Sequence, residues 1–302
     1  MQTYDSEKIN EVIRYALMAV AWSWLWWIPR VLATFEVISL PQWADLLLGA
    51  VGALGPGLAA VWMLNRSGGQ KSLADSFKQG WKLRFNPLLL VPALAIMPLI
   101  GAITGWVLSL TGIDDPWQYN LIALTGAPLA GTLAALAVSA AGQEIGWRGF
   151  LQPKLQSFLN PLRVSLVIGV IWTVWQLPLH FVYGAVQSVT PVLHLLLQTL
   201  ALSILFTWLY NKTNGSTLVA VLFHFTIGAS GVLFPVWAGV LARWVYFLLI
   251  VLSIVGLGVA VLTATGGAAA ASALTYRALA PLPRRAEQAR RVGDNPVGQL
   301  IY

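Results

Sequence analysis

The chain has 302 residues, of which 58% are apolar and only 10% are charged, and its mean hydropathy is +0.73. Soluble domains carry about 25% charged residues, so this composition predicts a polytopic membrane protein. The chain contains no cysteine, which excludes disulfides, thiolate metal ligands and cysteine nucleophiles. We expect the formal charge of +7 to lie in cytoplasmic loops and expect no nucleic-acid partner.

Eight apolar segments are long enough to cross a bilayer, which takes roughly 20 residues per helix. The first segment follows a polar, mixed-charge start and has no small-residue cleavage site, so we interpret it as a retained span and not as a signal peptide. The predicted fold is an all-α, polytopic transmembrane helix bundle of about eight spans. The predicted spans are 12–34, 45–64, 88–110, 121–145, 164–183, 192–210, 217–237 and 244–265.

The basic residues are divided unevenly between the two sides that an eight-span topology defines. Fifteen of the 18 Lys and Arg fall on the side that holds both termini, the exceptions being Arg30, Arg148 and Arg243. The opposite loop at 111–119 carries two aspartates and no base. By the positive-inside rule both termini are predicted to be cytoplasmic, in what we expect to be a bacterial plasma membrane.

Residues 1–266 are predicted to form one integral membrane domain, with the chemically important motifs in about 120–235. Residues 267–302 are Ala-rich and then Pro- and Arg-rich, which predicts a disordered cytoplasmic tail that favours anionic lipid. Glycines in the second span are expected to permit close helix packing, and Pro56 is expected to kink that span.

The stretch 142–150, with the sequence GQEIGWRGF, places an ionisable pair at membrane depth. Glu144 and Arg148 are four residues apart, so a helix presents both on one face. Ionisable side chains are costly in a bilayer, which makes the pair a candidate functional site. On the charge topology Glu144 lies at the cytoplasmic end of the fourth span, and we expect the site to open toward the cytoplasm.

The three histidines of the chain supply further candidate groups. His224 lies mid-span among apolar neighbours and needs a polar partner. His180 follows Gln176 by four residues, so both are expected to line one cavity if Pro178 does not rotate the helix much. His194 is interpreted as an interfacial or packing residue.

A carboxylate, an arginine and one or two histidines inside a helical bundle are a plausible hydrolytic set. The carboxylate can take a proton from water, the histidines can bind a metal or an oxyanion, and the arginine can fix the carboxylate or a peptide carbonyl. The same residue types suit a proton-coupled transporter. That alternative is disfavoured because no internal repeat is visible and only one acid lies within the predicted spans close to these groups.

Three motifs resemble those of the CAAX protease and bacteriocin-processing family of intramembrane metalloproteases, also called the Abi family. The stretch QEIGWRGFL from Gln143 resembles the family's Glu-Glu-x-x-x-Arg motif. The stretch WTVWQLP from Trp172 resembles its Phe-x-x-x-His motif, and HFTIG from His224 resembles its His-x-x-x-Asn motif. The order and spacing agree, and the resemblance covers nearly the whole chain before the tail.

The resemblance implies a metalloprotease that hydrolyses a peptide bond in a peptide or membrane-protein substrate. It implies catalytic roles for Glu144, Arg148 and His224 and a divalent metal, Zn²⁺. The metal ligands it suggests in this chain are His224, His180 and Glu144.

Three positions depart from the family motifs. The glutamate that the family uses to activate water is Gln143 here, the histidine of the second motif is Gln176, and the asparagine of the third is Gly228. An amide cannot act as a base and is a poor metal ligand. Glycine offers no donor for an oxyanion.

Three accounts of the site follow from these departures. In the first, Glu144 replaces the missing base, His180 supplies an imidazole, and the amides of Gln143 and Gln176 donate to an oxyanion. In the second, hydrolysis is lost and the fold binds a peptide or a partner helix, as an immunity-type or adaptor membrane protein would. In the third, Glu144 and Arg148 only hold the spans together.

Overall fold

The computed structural model describes residues 2–81, 85–111, 127–234, 236–237 and 239–264, and these are helical apart from turns and short connections. This confirms the predicted all-α class. The predicted tail at 267–302 and most of the loop at 111–119 lie outside the described residues. The α-helices are α1 (Gln2–Thr34), α2 (Gln42–Ala53), α3 (Gly55–Gly80), α4 (Leu90–Ser109), α5 (Ala127–Gly146), α6 (Gln152–Gln156), α7 (Pro161–Gln176), α8 (Val192–Lys212), α9 (Thr217–Leu233) and α10 (Val240–Ala264).

Shorter helices connect several of these elements. A π-helix at Trp147–Leu151 joins α5 to α6, and a 3-10 helix at Pro87–Leu89 leads into α4. Two more 3-10 helices, Leu177–Phe181 and Val186–Val189, lie between α7 and α8.

Helices of membrane-spanning length and apolarity make up most of the described bundle. Five segments meet both criteria, and a sixth is added if the bent pair α2–α3 counts as one span. That pair bends by 44° at Leu54, next to the predicted kink at Pro56. Helix α9 is apolar but shorter, at 17 residues. The five segments are 6–34, 87–109, 161–181, 192–212 and 240–257.

The two ends of the bundle can be identified from contacts. At one end the Lys154 ammonium, on α6, pairs with Glu11 of α1 at 2.5 Å, and we call this end the Lys154 face. At the other end the backbone N–H of Tyr183 donates to the Thr34 hydroxyl at 3.0 Å, and we call it the Thr34 face. Helix α1 starts at the Lys154 face, and α10 runs back to that face.

Helix α3 extends further than hydropathy predicts. The sequence predicts a loop at 65–86, but α3 continues as a helix to Gly80. Hydropathy detects only the apolar part of a helix, and the polar residues after Leu64, such as Lys71, still have good helix propensity. The predicted loop is therefore in large part helix.

Close glycine contacts bring α3 against α5 and so position the last turns of α5. A Cβ on Gly57 would collide with the carbonyl oxygen of Gly142. A Cβ on Gly146 would collide with the backbone of Pro56 and the hydroxyl of Tyr15. The predicted role of the second-span glycines in close packing is confirmed at these contacts.

Tryptophan side chains tie α1, α2 and α7 together in the core. The Trp175 indole N–H donates to the Ser23 hydroxyl at 2.6 Å, and that hydroxyl donates to the carbonyl of Gly52 at 2.7 Å. The Trp27 indole N–H donates to the carbonyl of Gly49 at 3.2 Å. These bonds satisfy polar atoms that a lipid-facing position would leave unpaired.

Large apolar side chains face outward from the bundle. Leu17, Leu25, Leu99 and Leu252 are all exposed, on α1, α4 and α10. An apolar exterior of this kind suits contact with lipid tails, and together with the spans it identifies an integral membrane protein.

Candidate functional site

The predicted ion pair forms the buried centre of the site. Glu144 lies in the last turn of α5 and Arg148 in the π-helix that follows, and both side chains are fully buried. Nη1 of Arg148 lies 3.0 Å from Oε2 and 3.1 Å from Oε1 of Glu144. The Arg148 guanidinium also stacks on the Phe206 ring of α8, with 3.8 Å from Cζ to the ring centroid. The ion pair and the cation–π contact therefore offset part of the cost of burial, whereas Nε and Nη2 of Arg148 have no hydrogen-bond partner among the described residues.

His224, from the middle of α9, completes the buried cluster. Its Nδ1 lies 2.6 Å from Oε1 of Glu144, and its ring packs near those of Trp172 and Phe206. A carboxylate only accepts hydrogen bonds, so Nδ1 carries the proton in this contact. In the neutral ring Nε2 is then an acceptor. The structure thus brings three predicted residues together, with His224 bonded to the carboxylate.

A cavity of about 440 Å³ lies beside this cluster, a volume typical of ligand sites. His224 and Gln143 line its inner part, whereas Glu144 and Arg148 do not line it. Tryptophan rings and aliphatic side chains form much of the wall. They include Trp27, Trp172, Trp175, Trp237, Leu136 and Leu195.

Four glutamines supply amides to the cavity wall: Gln143, Gln176, Gln187 and Gln198. The amide nitrogen of Gln187 donates to Oε1 of Gln176 at 2.8 Å, and the amide nitrogen of Gln143 donates to the Ser139 hydroxyl at 3.0 Å. Gln143 and Gln176 are predicted site residues, and both lie where the sequence places them. Gln187 and Gln198 were missed. Gln198 had a detectable signal, a polar residue inside an apolar span, but Gln187 lies in a short connection where a polar residue is unremarkable.

Arg30 lines the cavity toward the Thr34 face, and its charge is neutralised. Its Nε and Nη2 donate to the two carboxylate oxygens of Asp45 at 2.7 and 2.8 Å. This bidentate geometry is the strong form of an arginine–carboxylate pair.

The structure does not place His180 in the cluster. His180 lies half-buried in the 3-10 helix after α7 and is not among the residues that line the cavity. Residues four apart share a face in an α-helix, but a 3-10 turn has three residues, so the switch at Leu177 moves His180 away from the face of Gln176. The proposed partnership of His180 with Glu144 is therefore not formed.

His194 is a packing residue, as the sequence suggests. The centroid of its buried ring lies 4.7 Å from the ring centroid of Trp244 and 5.7 Å from that of Phe247, both on α10. It contributes to the contact between α8 and α10.

The residues at the site do not suit the divalent metal that the resemblance implies. Within the described residues no group of three or more His, Asp or Glu side chains could hold a metal ion. A zinc site in an enzyme uses three protein ligands. Of the three suggested ligands, His180 lies elsewhere, and Glu144 and His224 are bonded to each other.

The cavity also lies on the opposite side of the cluster from the one expected. Glu144 is near the Lys154 face, as predicted, since α6 and Lys154 follow it directly. The cavity extends instead toward the Thr34 face, where Arg30, Val186 and Trp237 line it. Among the described residues, an opening at the Lys154 face, where α1 begins and α10 ends, is therefore not observed.

The described residues thus form an intramembrane helix bundle in which a carboxylate, an arginine and a histidine lie beside a cavity. Residues 125–230 match the family described as type II CAAX prenyl endopeptidase, Rce1-like. The chain is 24% identical over 190 residues to CAAX prenyl protease 2 of Methanococcus maripaludis, across 60% of this chain and 70% of that protein. Residues 125–230 are thus similar to the CAAX protease family, which confirms the resemblance over that part of the chain.

Proposed function

We propose that this CAAX-protease-like membrane protein binds a segment of a peptide or membrane protein in its cavity without cleaving it. One observation carries the proposal. Glu144 is fully buried and bonded to both Arg148 and His224, while amides occupy the cavity wall at the motif positions Gln143 and Gln176.

Hydrolysis needs a base that can reach a water molecule beside the substrate. The carboxylate of Glu144 is not among the groups that line the cavity, and it contacts a cation and an imidazole. The amides of Gln143 and Gln176 have no basic lone pair at neutral pH. Position 143, where the family motif has the glutamate that activates water, therefore carries an amide. An amide forms hydrogen bonds but does not take a proton from water.

The same wall suits a polypeptide as a ligand. Each glutamine amide offers both a donor and an acceptor, which matches the N–H and C=O groups of a peptide backbone. The rings of Trp27, Trp172 and Trp237 offer apolar area for side chains. Nε2 of His224 adds an acceptor at the inner part of the cavity.

Peptide hydrolysis is a second candidate, favoured by the 2.6 Å contact between His224 and Glu144. A carboxylate on Nδ1 orients an imidazole so that Nε2 can act as a base. In that case His224 takes the proton from water, Glu144 orients the ring, and the amides of Gln143 and Gln176 donate to the developing oxyanion. Glu144 itself is poorly placed to be the base, because it does not line the cavity.

Purified protein in lipid nanodiscs distinguishes the two candidates. The probe is a pool of biotinylated decapeptides, each with one photoreactive leucine analogue and a fluorophore–quencher pair, supplemented with a farnesylated CAAX peptide. We expect photo-dependent capture without a rise in fluorescence. Cleavage that disappears in His224→Ala and persists in Ser157→Ala would establish the second candidate instead. Neither capture nor cleavage of any probe would contradict both.

The membrane orientation of the protein remains part of this proposal. Both chain ends are expected to be cytoplasmic, on the charge asymmetry of the sequence. A reporter fused after Tyr302 is expected to behave as a cytoplasmic protein, and an external reporter would overturn the orientation.

A further inference from the structure

We infer that the cavity accepts an uncharged, internal stretch of polypeptide that reaches it from the Thr34 face, the end of the bundle opposite Glu11 and Lys154. The inference rests on the proposed binding function and adds the side of access and the charge of the ligand.

The side of access follows from where the lining residues lie on their helices. Arg30 is near the end of α1 at the Thr34 face, and Gln176 ends α7 at the same face. Val186 and Gln187, from the connection between α7 and α8, also line the cavity, and Val186 is 40% exposed. The cavity is therefore bordered by solvent-accessible residues at the Thr34 face.

The opposite side of the cavity is closed by packed side chains. Glu144, Arg148 and Trp147 are each fully buried, and Phe206 covers the guanidinium. Beyond them toward the Lys154 face, the amide of Gln156 is bonded to Asn211 at 3.0 Å, which joins α6 to α8. A ligand that came from the Lys154 face would have to break this layer.

The charge of the ligand follows from the ionisable groups on the wall. Among the described residues that line the cavity only Arg30 and His224 are ionisable. Asp45 neutralises Arg30 through two hydrogen bonds, and Nδ1 of His224 is bonded to Glu144. Within this described wall no group is left to balance a terminal carboxylate or a charged side chain, so burial favours a neutral segment.

We expect the backbone of the bound polypeptide to form hydrogen bonds at the Gln176–Gln187 contact. Gln176 ends α7 and Gln187 belongs to the 3-10 helix Val186–Val189, so their 2.8 Å bond spans the border of the cavity. A peptide group can replace this bond on both sides, since it offers the same donor and acceptor as an amide side chain. One amide–amide bond is then replaced by two bonds to the peptide group, so both glutamine groups stay hydrogen-bonded.

The absence of cysteine from the chain makes the side of access directly measurable. Val186→Cys places a thiol at the cavity border, and Ser157→Cys places one on the exposed Lys154 face. In sealed vesicles of known orientation, a membrane-impermeant maleimide should modify the two variants from opposite sides. Modification of Val186→Cys should lower capture of uncharged decapeptides about tenfold or more, and modification of Ser157→Cys should leave capture unchanged.

The charge of the ligand is tested with two otherwise identical photoreactive decapeptide pools that lack Asp, Glu, Lys and Arg. One pool is acetylated and amidated at its ends, and the other has a free C-terminal carboxylate. The capped pool should be captured about tenfold better, and Asp45→Asn, which frees the charge of Arg30, should shift the preference toward the carboxylate pool.

Each failure has its own meaning. If the unmodified protein captures neither pool, the proposed binding function fails. If it captures peptide but modification at Ser157→Cys blocks capture and modification at Val186→Cys does not, the side of access is overturned. A preference of the unmodified protein for the carboxylate pool would overturn the assignment of an uncharged internal segment.

Discussion

Nδ1 of His224 lies 2.6 Å from Oε1 of Glu144, although 80 positions separate the two residues in the chain. This contact joins α9 to α5, and Arg148 holds the same carboxylate from the π-helix. A buried carboxylate with two such partners keeps its position and keeps the imidazole in one tautomer. The cluster therefore fixes the geometry of His224 at the cavity.

Substitution Glu144→Gln is expected to destabilise the fold by about 3–5 kcal/mol, because it leaves the buried Arg148 guanidinium without a counter-charge. Thermal unfolding in detergent micelles measures the loss. Glu7→Gln, at an exposed position of α1, is the matched control and should unfold like the unmodified protein. The double variant Glu144→Gln/Arg148→Met should be more stable than Glu144→Gln alone. If Glu144→Gln and the control Glu7→Gln unfold at the same temperature, the ion pair contributes nothing to the stability of the fold.

Restoring the family residues is expected to create or raise hydrolysis. The variant Gln143→Glu/Gln176→His/Gly228→Asn supplies a carboxylate and an imidazole at the cavity wall and a donor on α9. The new asparagine must displace the flexible end of Leu136, which would lie 2.8 Å from its Cβ. Turnover of the quenched peptide pool is the measurement, and the control is the same variant with His224→Ala. A folded triple variant that captures but never cleaves would contradict the idea that these three positions account for the lost activity.

Replacement of glycine at the α3–α5 contact should be costly only where the helices touch. Gly57→Ala would push a methyl group into the Gly142 carbonyl, and we expect a loss of about 1–3 kcal/mol. Gly131→Ala lies on the same bundle in open space and should stabilise α5 by about 0.5–1 kcal/mol. Unfolding midpoints of the two variants give the comparison, and a tolerated Gly57→Ala would mean that α3 and α5 can move apart.

The rings of His194 and His224 should respond differently to replacement by phenylalanine. His194→Phe keeps the ring contacts with Trp244 and Phe247 and removes a buried Nε2 that has no hydrogen-bond partner among the described residues, so we expect a change below about 1.5 kcal/mol. His224→Phe removes the bond to a carboxylate and should cost about 1.5–3 kcal/mol. A larger loss for His194→Phe than for His224→Phe would reverse the roles assigned to them.

Hydropathy predicts helices because lipid imposes a simple rule on apolar segments. It predicts eight spans, whereas five helices of the described residues meet the criteria for a span, or six with the bent pair α2–α3. Each apolar segment of about 20 residues must hydrogen-bond its own backbone, so helix is the available structure. The kink near Pro56 also follows from local sequence. The extension of α3 to Gly80 could not be read from hydropathy, since a polar helix and a polar loop have the same apolar content.

The site was predictable only where the residues share one helix. Glu144 and Arg148 form the expected pair because spacing along one chain segment sets their distance. His224 is predictable as a site residue because a polar side chain within an apolar span is costly in lipid. Its bond to Glu144, however, depends on how α5 packs against α9. The predicted contact of His180 with Glu144 does not form because the 3-10 helix after α7 changes the direction of the His180 side chain. Gln187 lies in a connection without a regular repeat, so its position at the cavity does not follow from spacing.

The π-helix Trp147–Leu151 holds about one residue more than the same turn of an α-helix would. Deletion of Gly149 would let the segment wind as an ordinary α-helix and would keep the residues beyond it near their present angle relative to Glu144. Deletion of Pro153 in α6 would instead rotate the residues beyond it by about 100°. Gln156 would then swing away from Asn211, and Lys154 away from Glu11. The thirteen residues from Glu144 to Gln156 thus act as a spacer of fixed length and angular phase, whereas the turn at 35–41 can vary in length without disturbing the cluster.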